Sequence, residues 1–226
     1  MNTILHINTA LETAYVAVSD NDQVLDEIIN PDQKTHAAFL HPAIKEVLGR
    51  TGIPIAQLKA VSVIIGPGSY TGLRVGLAAA KGICFAMNIP LLTVNSLEWM
   101  AYSQRGNDFD FLCPMIDARR NEVFTAVFNK NWVELRPPHA LILENGQFDK
   151  ELETGKTLFF GNGAEKAKSF FCHRNSRFLV SNSATSNDQY HISMTRYLAG
   201  NFAELAYSEP LYTKEFYTSA GKKPHN

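Results

Sequence analysis

The feature that most restricts what this chain can fold into is an internal repeat. Laid without a gap on "IDARRNEVFTAV" (116–127), the segment "INTALETAYVAV" (7–18) places Ile7 on Ile116, Asn8 on Asp117, Tyr15 on Phe124, Ala17 on Ala126 and Val18 on Val127. The offset is close to half of the 226 residues, which points to a duplicated unit rather than a chance hairpin. Each copy opens on three extended runs broken by turn residues: "TILHIN", "AYVAVSD" and "QVLDEII" in the first, and "FLCPMIDARRNEVFTAVFNKNWVELRP" in the second. Helical and extended runs then alternate. The first copy continues with a helix carrying Leu40, Ile44, Val47 and Leu48 at helical spacing, the buried strand "AVSVIIG", the helix "YTGLRVGLAAAKGICFAMN" and the strand "IPLLTVN". The second continues with "GQFDKELE", "KTLFFG", a glycine-rich turn "GNGA", "EKAKSFF" and "RFLVS", and ends on a helix, "NDQYHISMTRYLAGNFAE".

Two tandem β-β-β-α-β-α units predict an α/β fold of two actin-like (ASKHA, RNase H-like) domains, with mixed sheets flanked by helices. The expected boundaries are 1–106 and 107–213, followed by a polar tail over 214–226. The last helix, with Ile192, Met194, Tyr197, Leu198, Phe202 and Leu205, is expected to close the second domain. In such an architecture a nucleotide sits between the halves and an aspartate ending the first strand holds its metal. Asn8 stands at that place and brings no charge. Asp117 keeps the acid in the second copy, where a turn-forming role competes with a ligand role. Asn8, Asp117, Gly161 and Gly163 therefore outline at most a vestigial ATP or ADP site.

Residues 64–82, "IIGPGSYTGLRVGLAAAKG", carry the most specific local signal. Pro67-Gly68 suits a type II turn with glycine supplying the positive φ, and Ser69 or Thr71 can cap the helix that follows. The free N–H groups there can bind an anion, yet neither GxxxxGK[ST] nor GxGxxG is present. Along the helix, Gly72, Gly76 and Ala80 lie four apart on one face, and each glycine costs about 1 kcal/mol relative to alanine. Close approach of another helix would offset that cost, from the same domain or from another molecule. Upstream, Thr35 can cap the helix that Pro42 bends and that Gly49 and Gly52 end.

Composition excludes several classes. The formal net charge is -1 and the pI about 6.7, so the chain has no global positive field for nucleic acid. The three cysteines are scattered, without ligand spacing, and read as buried thiols of a reducing compartment. The seven histidines form no HExxH, and no GxSxG marks a nucleophile. No catalytic residue and no metal site is expected, no apolar run is long enough to span a membrane, and the expected location is cytoplasmic.

With these residues in hand, the chain resembles the TsaB (YeaZ) family of tRNA threonylcarbamoyladenosine biosynthesis proteins. The carriers are "ILHINTALETAYVAV", "THAAFLHPAI", "IIGPGSYTGLRVGLAAAKGICFAMNIPLLTVNSLEWMA", "PMIDARRNEVFTAVF", "GNGAEK" and "EPLYTK". The resemblance implies a non-catalytic paralogue of TsaD, the subunit that transfers the threonylcarbamoyl group to adenosine. TsaD binds a metal through two histidines at the positions where "VNSLEWM" has Ser96 and Met100, neither of which suits that role. It also implies pairing with TsaD, help in recruiting the ATPase TsaE, a homodimer when alone, and contact with tRNA only through the complex. The expected partner interface is His36, Leu40, Ile44, Tyr70, Gly72, Leu73, Arg74, Gly76, Leu77 and Ala80. The alternatives are a freestanding actin-like enzyme, either a small-molecule kinase or a peptidase, and a regulatory homodimer that binds nucleotide without turning it over.

Overall fold

The computed structural model describes residues 2–213, so the expected polar tail lies outside the described residues. The first half runs β1 (Ile4–Asn8), β2 (Ala14–Ser19), β3 (Val24–Asn30), α1 (His36–Thr51), β4 (Ala60–Gly66), α2 (Tyr70–Met87), β5 (Leu91–Asn95) and α3 (Ser96–Ser103). The second runs β6 (Phe111–Asp117), β7 (Glu122–Asn129), β8 (Glu134–Ile142), α4 (Asp149–Thr154), β9 (Thr157–Phe160), α5 (Ala164–Ala167), β10 (Ser176–Leu179) and α6 (Ser186–Leu198). The sheets are ordered β3-β2-β1-β4-β5 and β8-β7-β6-β9-β10. Three antiparallel strands are followed in each by two parallel ones, so the repeat read from sequence is a repeat of topology.

The gapless alignment fails in one respect. Asn8 pairs with Tyr15, whereas Asp117 pairs with Val123 and Phe124 pairs with Ile116. The second hairpin is one residue shorter, and because side chains alternate along a strand, Phe124 does not occupy the place of Tyr15.

Local chemistry explains most element ends. Ser69 Oγ accepts the Gly72 N–H and starts α2, and Asn88 in the left-handed region stops it. Asn95 and Glu98 form a capping box on α3. Thr35 sits at the N-cap of α1 but turns its hydroxyl back to Asp32 O, so it makes no side-chain cap. The type II turn expected at Pro67-Gly68 is replaced by another geometry. The Gly66–Pro67 peptide is cis, and the positive φ, 116°, belongs to Gly66.

Strand alternation decides what covers the first sheet. Ile7 and Val63 face α2, since both would touch a Cβ at Gly76, while His6 and Ser62 face α6 through Tyr190 and Ser193. Helix α6 thus packs on the first sheet and does not close the second half, as its sequence position suggested. A polar seam fixes it there. Tyr15 Oη donates to Gln189 Oε1 at 2.8 Å, Gln189 Nε2 to Ser62 Oγ at 2.9 Å, and Ser62 Oγ meets Ser193 Oγ at 2.7 Å. The chain then crosses the edge of β5, where Ala203 N donates to Leu91 O, and runs along α2 as a strap to Tyr212. One apolar cluster spans both sheets, joining Tyr15, Ile64, Leu73, Val94, Trp99 and Met100 to Leu112, Ile116, Phe128 and Phe160.

Candidate functional site

Two surfaces follow from the sequence: the cleft between the halves and the outer face of α1 and α2. In the cleft, Asn8 is fully buried and its Oδ1 accepts the Ala10 N–H at 3.0 Å. Asp117 makes the same bond two residues on, accepting from Arg119 N at 2.6 Å, so the two repeat-related residues are turn formers in both halves. Asp117 is also neutralised. Lys166 donates to its Oδ1 at 2.6 Å and to the carbonyls of Arg120 and Glu122 at 2.9 Å each. Partial burial works to raise the Asp117 carboxyl, but the bonds from Lys166 and Arg119 outweigh it and hold the acid below the usual carboxylate range.

Gly161 and Gly163 shape the turn beside it. A Cβ at Gly161 would lie 2.5 Å from Met115 O, and one at Gly163 2.9 Å from Val123 Cγ1, so both are needed for close packing on β6 and β7. Between them Asn162 ties the halves together: its Oδ1 accepts the Asp117 N–H at 2.8 Å and its Nδ2 donates to Glu12. This bridge separates two cavities, of about 590 Å³ beside Ser69, Tyr70 and Arg119 and about 350 Å³ beside Tyr15, Trp99 and Asn182.

The residues present do not fit a magnesium nucleotide, because the Asn8 amide is buried in a turn and the Asp117 charge is taken by an ammonium. Ser96 and Met100 are equally committed to the interior, at 0% and 1% exposure, with Met100 in the shared core. Among the described residues no three His, Cys, Asp or Glu come together as a metal-binding group. Sequence reasoning missed Lys166, Asn162 and Glu12, whose partners are distant along the chain and carry no local spacing signal.

The expected interface is corrected by burial. Of its ten residues, His36, Leu40, Ile44, Gly72, Leu73, Gly76, Leu77 and Ala80 are buried inside the chain's own fold. The small-residue face of α2 is turned inward because the loop after β1 passes beneath it. A Cβ at Gly72 would meet Thr9 O at 2.0 Å and one at Gly76 would meet Thr9 Oγ1 at 2.4 Å. A bulky residue at Gly76 would therefore test the fold, not a docking contact. Tyr70 and Arg74 are exposed, and they begin a different stripe. It includes Thr71, Ala78, Gly82 and Phe85, the last 80% exposed, beside Ala37, Ala38, His41 and Lys45 on the outside of α1. Among the described residues, Gly49 in α1 and Gly82 in α2 have nothing within 4 Å of an added Cβ, so no contact within them accounts for either glycine.

The family model for TsaD, tRNA N6-adenosine threonylcarbamoyltransferase, matches residues 23–137, just over half of the chain. The chain belongs to this family. Among its relatives are two proteins named tRNA threonylcarbamoyladenosine biosynthesis protein TsaB. The one from Bacillus subtilis is 36% identical over 127 residues, 56% of this chain and 55% of the relative. The one from Haemophilus influenzae is 32% identical over 123 residues, 54% of this chain and 52% of the relative. The resemblance to TsaB read from the motifs is thereby shown, and these alignments span about half the length of the curated relatives. YeaZ from Pseudomonas aeruginosa shares the fold, with a TM-score of 0.80 at 21% identity, covering 94% of this chain and 100% of that one. Together with the two five-stranded mixed sheets this establishes the actin-like α/β class.

Proposed function

We propose that this chain is a non-catalytic subunit of the machinery that makes threonylcarbamoyladenosine in tRNA. It docks a catalytic TsaD paralogue on the outer face of α1 and α2, pairs with itself through that face when alone, helps to recruit the ATPase TsaE, and meets tRNA through the assembled complex. The observation that carries the non-catalytic reading is Lys166: an ammonium with three oxygen acceptors occupies Asp117, the carboxylate at the vestigial nucleotide position. An acid whose charge is already compensated by an ammonium attracts a divalent cation less strongly. The apolar cluster across both halves supports a scaffold role as well, since closing the cleft on a substrate would have to shear a packed core.

The docking reading rests on Gly49 and Gly82. Each lowers the stability of an exposed helix by about 1 kcal/mol relative to alanine, and an external backbone or side chain seated close to the helix would offset it. The test is light scattering on a sizing column with the TsaD paralogue of the same organism, followed by tRNA modification in the reconstituted mixture. Gly82→Glu is expected to abolish the complex while leaving the fold intact, and Asp117→Ala to leave turnover nearly unchanged. Loss of turnover by Asp117→Ala in a complex that still assembles would refute the non-catalytic assignment.

A further inference from the structure

The turn between β6 and β7 holds its backbone in an uncommon conformation. Arg119 and Arg120 have φ of 65° and 48°, a region that residues other than glycine seldom enter. Two such residues in succession persist only where their surroundings over-determine them. The corresponding turn of the first half, from Thr9 to Thr13, contains no positive φ. The two turns also differ chemically. Asn8 is neutral and its Oδ1 accepts the Ala10 N–H, whereas Asp117 is charged and accepts both the Arg119 N–H and the Lys166 ammonium.

Lys166 reaches this turn from α5. Its three N–H donors meet three oxygens, Asp117 Oδ1 at 2.6 Å and the Arg120 and Glu122 carbonyls at 2.9 Å each, so no donor is left over. The carbonyl of Asn121, between those two, accepts the Leu143 N–H instead. One carboxylate and two carbonyls carry a single negative charge, which matches a monovalent ion. Magnesium takes an octahedron of oxygens at about 2.0–2.1 Å and calcium six to eight at about 2.3–2.6 Å. Potassium, by contrast, is held by main-chain carbonyls that replace its hydration shell. The Lys166 side chain is 21% exposed, so the ammonium is largely sheltered from water.

We propose that this turn is a cage for a monovalent cation of ammonium or potassium size, and that Lys166 fills it with a cation of the chain's own. That cation holds the two left-handed arginines in place, and removal of the side chain opens a site for ammonium or potassium. The proposal rests on the reading of Asp117 as a compensated acid and names the ion for which the acid is placed.

The experiment melts full-length wild type, Lys166→Ala, Lys166→Arg and the double variant Lys166→Ala/Asp117→Asn in chloride salts of equal ionic strength. The cations are ammonium, potassium, lithium, tetramethylammonium and magnesium, and the wild-type curves give the general salt effect. Amide exchange at Arg119 and Glu122 reads the turn itself. The expected result is faster exchange of both amides in Lys166→Ala, slowed again by ammonium or potassium. Those two ions should also raise the folding constant of Lys166→Ala above the wild-type trend by roughly threefold to tenfold, while lithium and tetramethylammonium should not. The double variant should lose this preference. Lys166→Arg, whose planar head does not match three converging oxygens, should exchange faster than wild type, and it carries the test if Lys166→Ala does not fold. Equal rescue by every cation, or a turn in Lys166→Arg as protected as in wild type, would reduce the lysine to a charge and overturn the cage. Preferential rescue by magnesium would overturn the monovalent assignment, and exchange in Lys166→Ala as slow as in wild type without added ammonium or potassium would show that the turn needs no cation. None of these outcomes bears on turnover by Asp117→Ala, so the cage can fail while the non-catalytic reading stands.

Discussion

Gly76 and Gly82 occupy one helix and look alike in sequence, but alanine at the two positions should move stability in opposite directions. At Gly82 an added Cβ meets nothing within 4 Å, so helix propensity acts alone. The gain is about 1 kcal/mol, worth roughly 2–4 °C in Tm for a chain of this size. At Gly76 the same gain is opposed by a Cβ placed 2.4 Å from Thr9 Oγ1, with Ile7 Cγ2 and Val63 Cγ2 at 3.5 and 3.6 Å leaving no room to shift away. The Thr9 hydroxyl must leave, and it is buried and donates to Gly72 O at 2.7 Å. Leaving a buried hydroxyl unsatisfied costs about 1–3 kcal/mol, and the accompanying overpacking about 1–3 kcal/mol. Less the propensity gain, Gly76→Ala should lose roughly 1–5 kcal/mol. Parallel thermal and urea melts of the two variants decide the matter. A neutral or stabilising Gly76→Ala, or a destabilising Gly82→Ala, would refute the assignment of inner and outer faces to α2.

Burial holds the His6 imidazole, bonded to Ser19 Oγ at 2.8 Å, at a pKa of about 3. The unfolded chain takes up that proton near pH 6.5, so stability should be full above that value and fall toward pH 3, by about 1.4 kcal/mol per unit at the steepest. His6→Asn should flatten this window in pH-dependent denaturation, and parallel curves for variant and wild type would contradict a buried neutral imidazole. Lys166→Met should cost about 1 kcal/mol after solvent screening. Because the Asp117 pKa is lowered on folding, the carboxylate's share is present above its unfolded pKa of about 4 and disappears as pH falls through the folded value, so the difference between wild type and variant should narrow below pH about 4. Ellman's reagent should label Cys172, which is exposed, and spare Cys84 and Cys113. Burial pushes the Cys84 thiol up to about 11 and Cys113 well above its usual value. Three fast-reacting thiols in the native protein would show that the fold leaves the interior open. Cys172 also corrects the expectation that all three thiols are buried.

The order of elements along the chain and the duplicated unit were legible in the sequence because they depend on period-two and period-3.6 burial and on caps such as Ser69, which act within a few residues. A turn-forming role for Asp117 was one of two readings the sequence left open, and that of Asn8 was not read from it. What the sequence could not express is which face of a helix lies inward when both faces are small. Gly72, Gly76 and Ala80 on one side and Ala78 and Gly82 on the other have similar hydrophobicity, and the passage of Thr9 and Ala10 under α2 decides between them.

Long-range closure was equally hidden. Helix α6 carries an apolar pattern that would suit either half, and its place on the first sheet is chosen by Gln189 and Ser193 meeting Tyr15 and Ser62 across more than half the chain. Lys166 reaching Asp117, and Tyr212 closing on Arg74, are contacts of the same kind. Local propensity and alternation are properties of neighbours along the chain, so the sequence by itself determined the elements, their order and the family. Satisfying each buried polar group and filling each gap beside a backbone is settled by residues far apart in sequence, so the tertiary structure alone decided which surfaces stayed open.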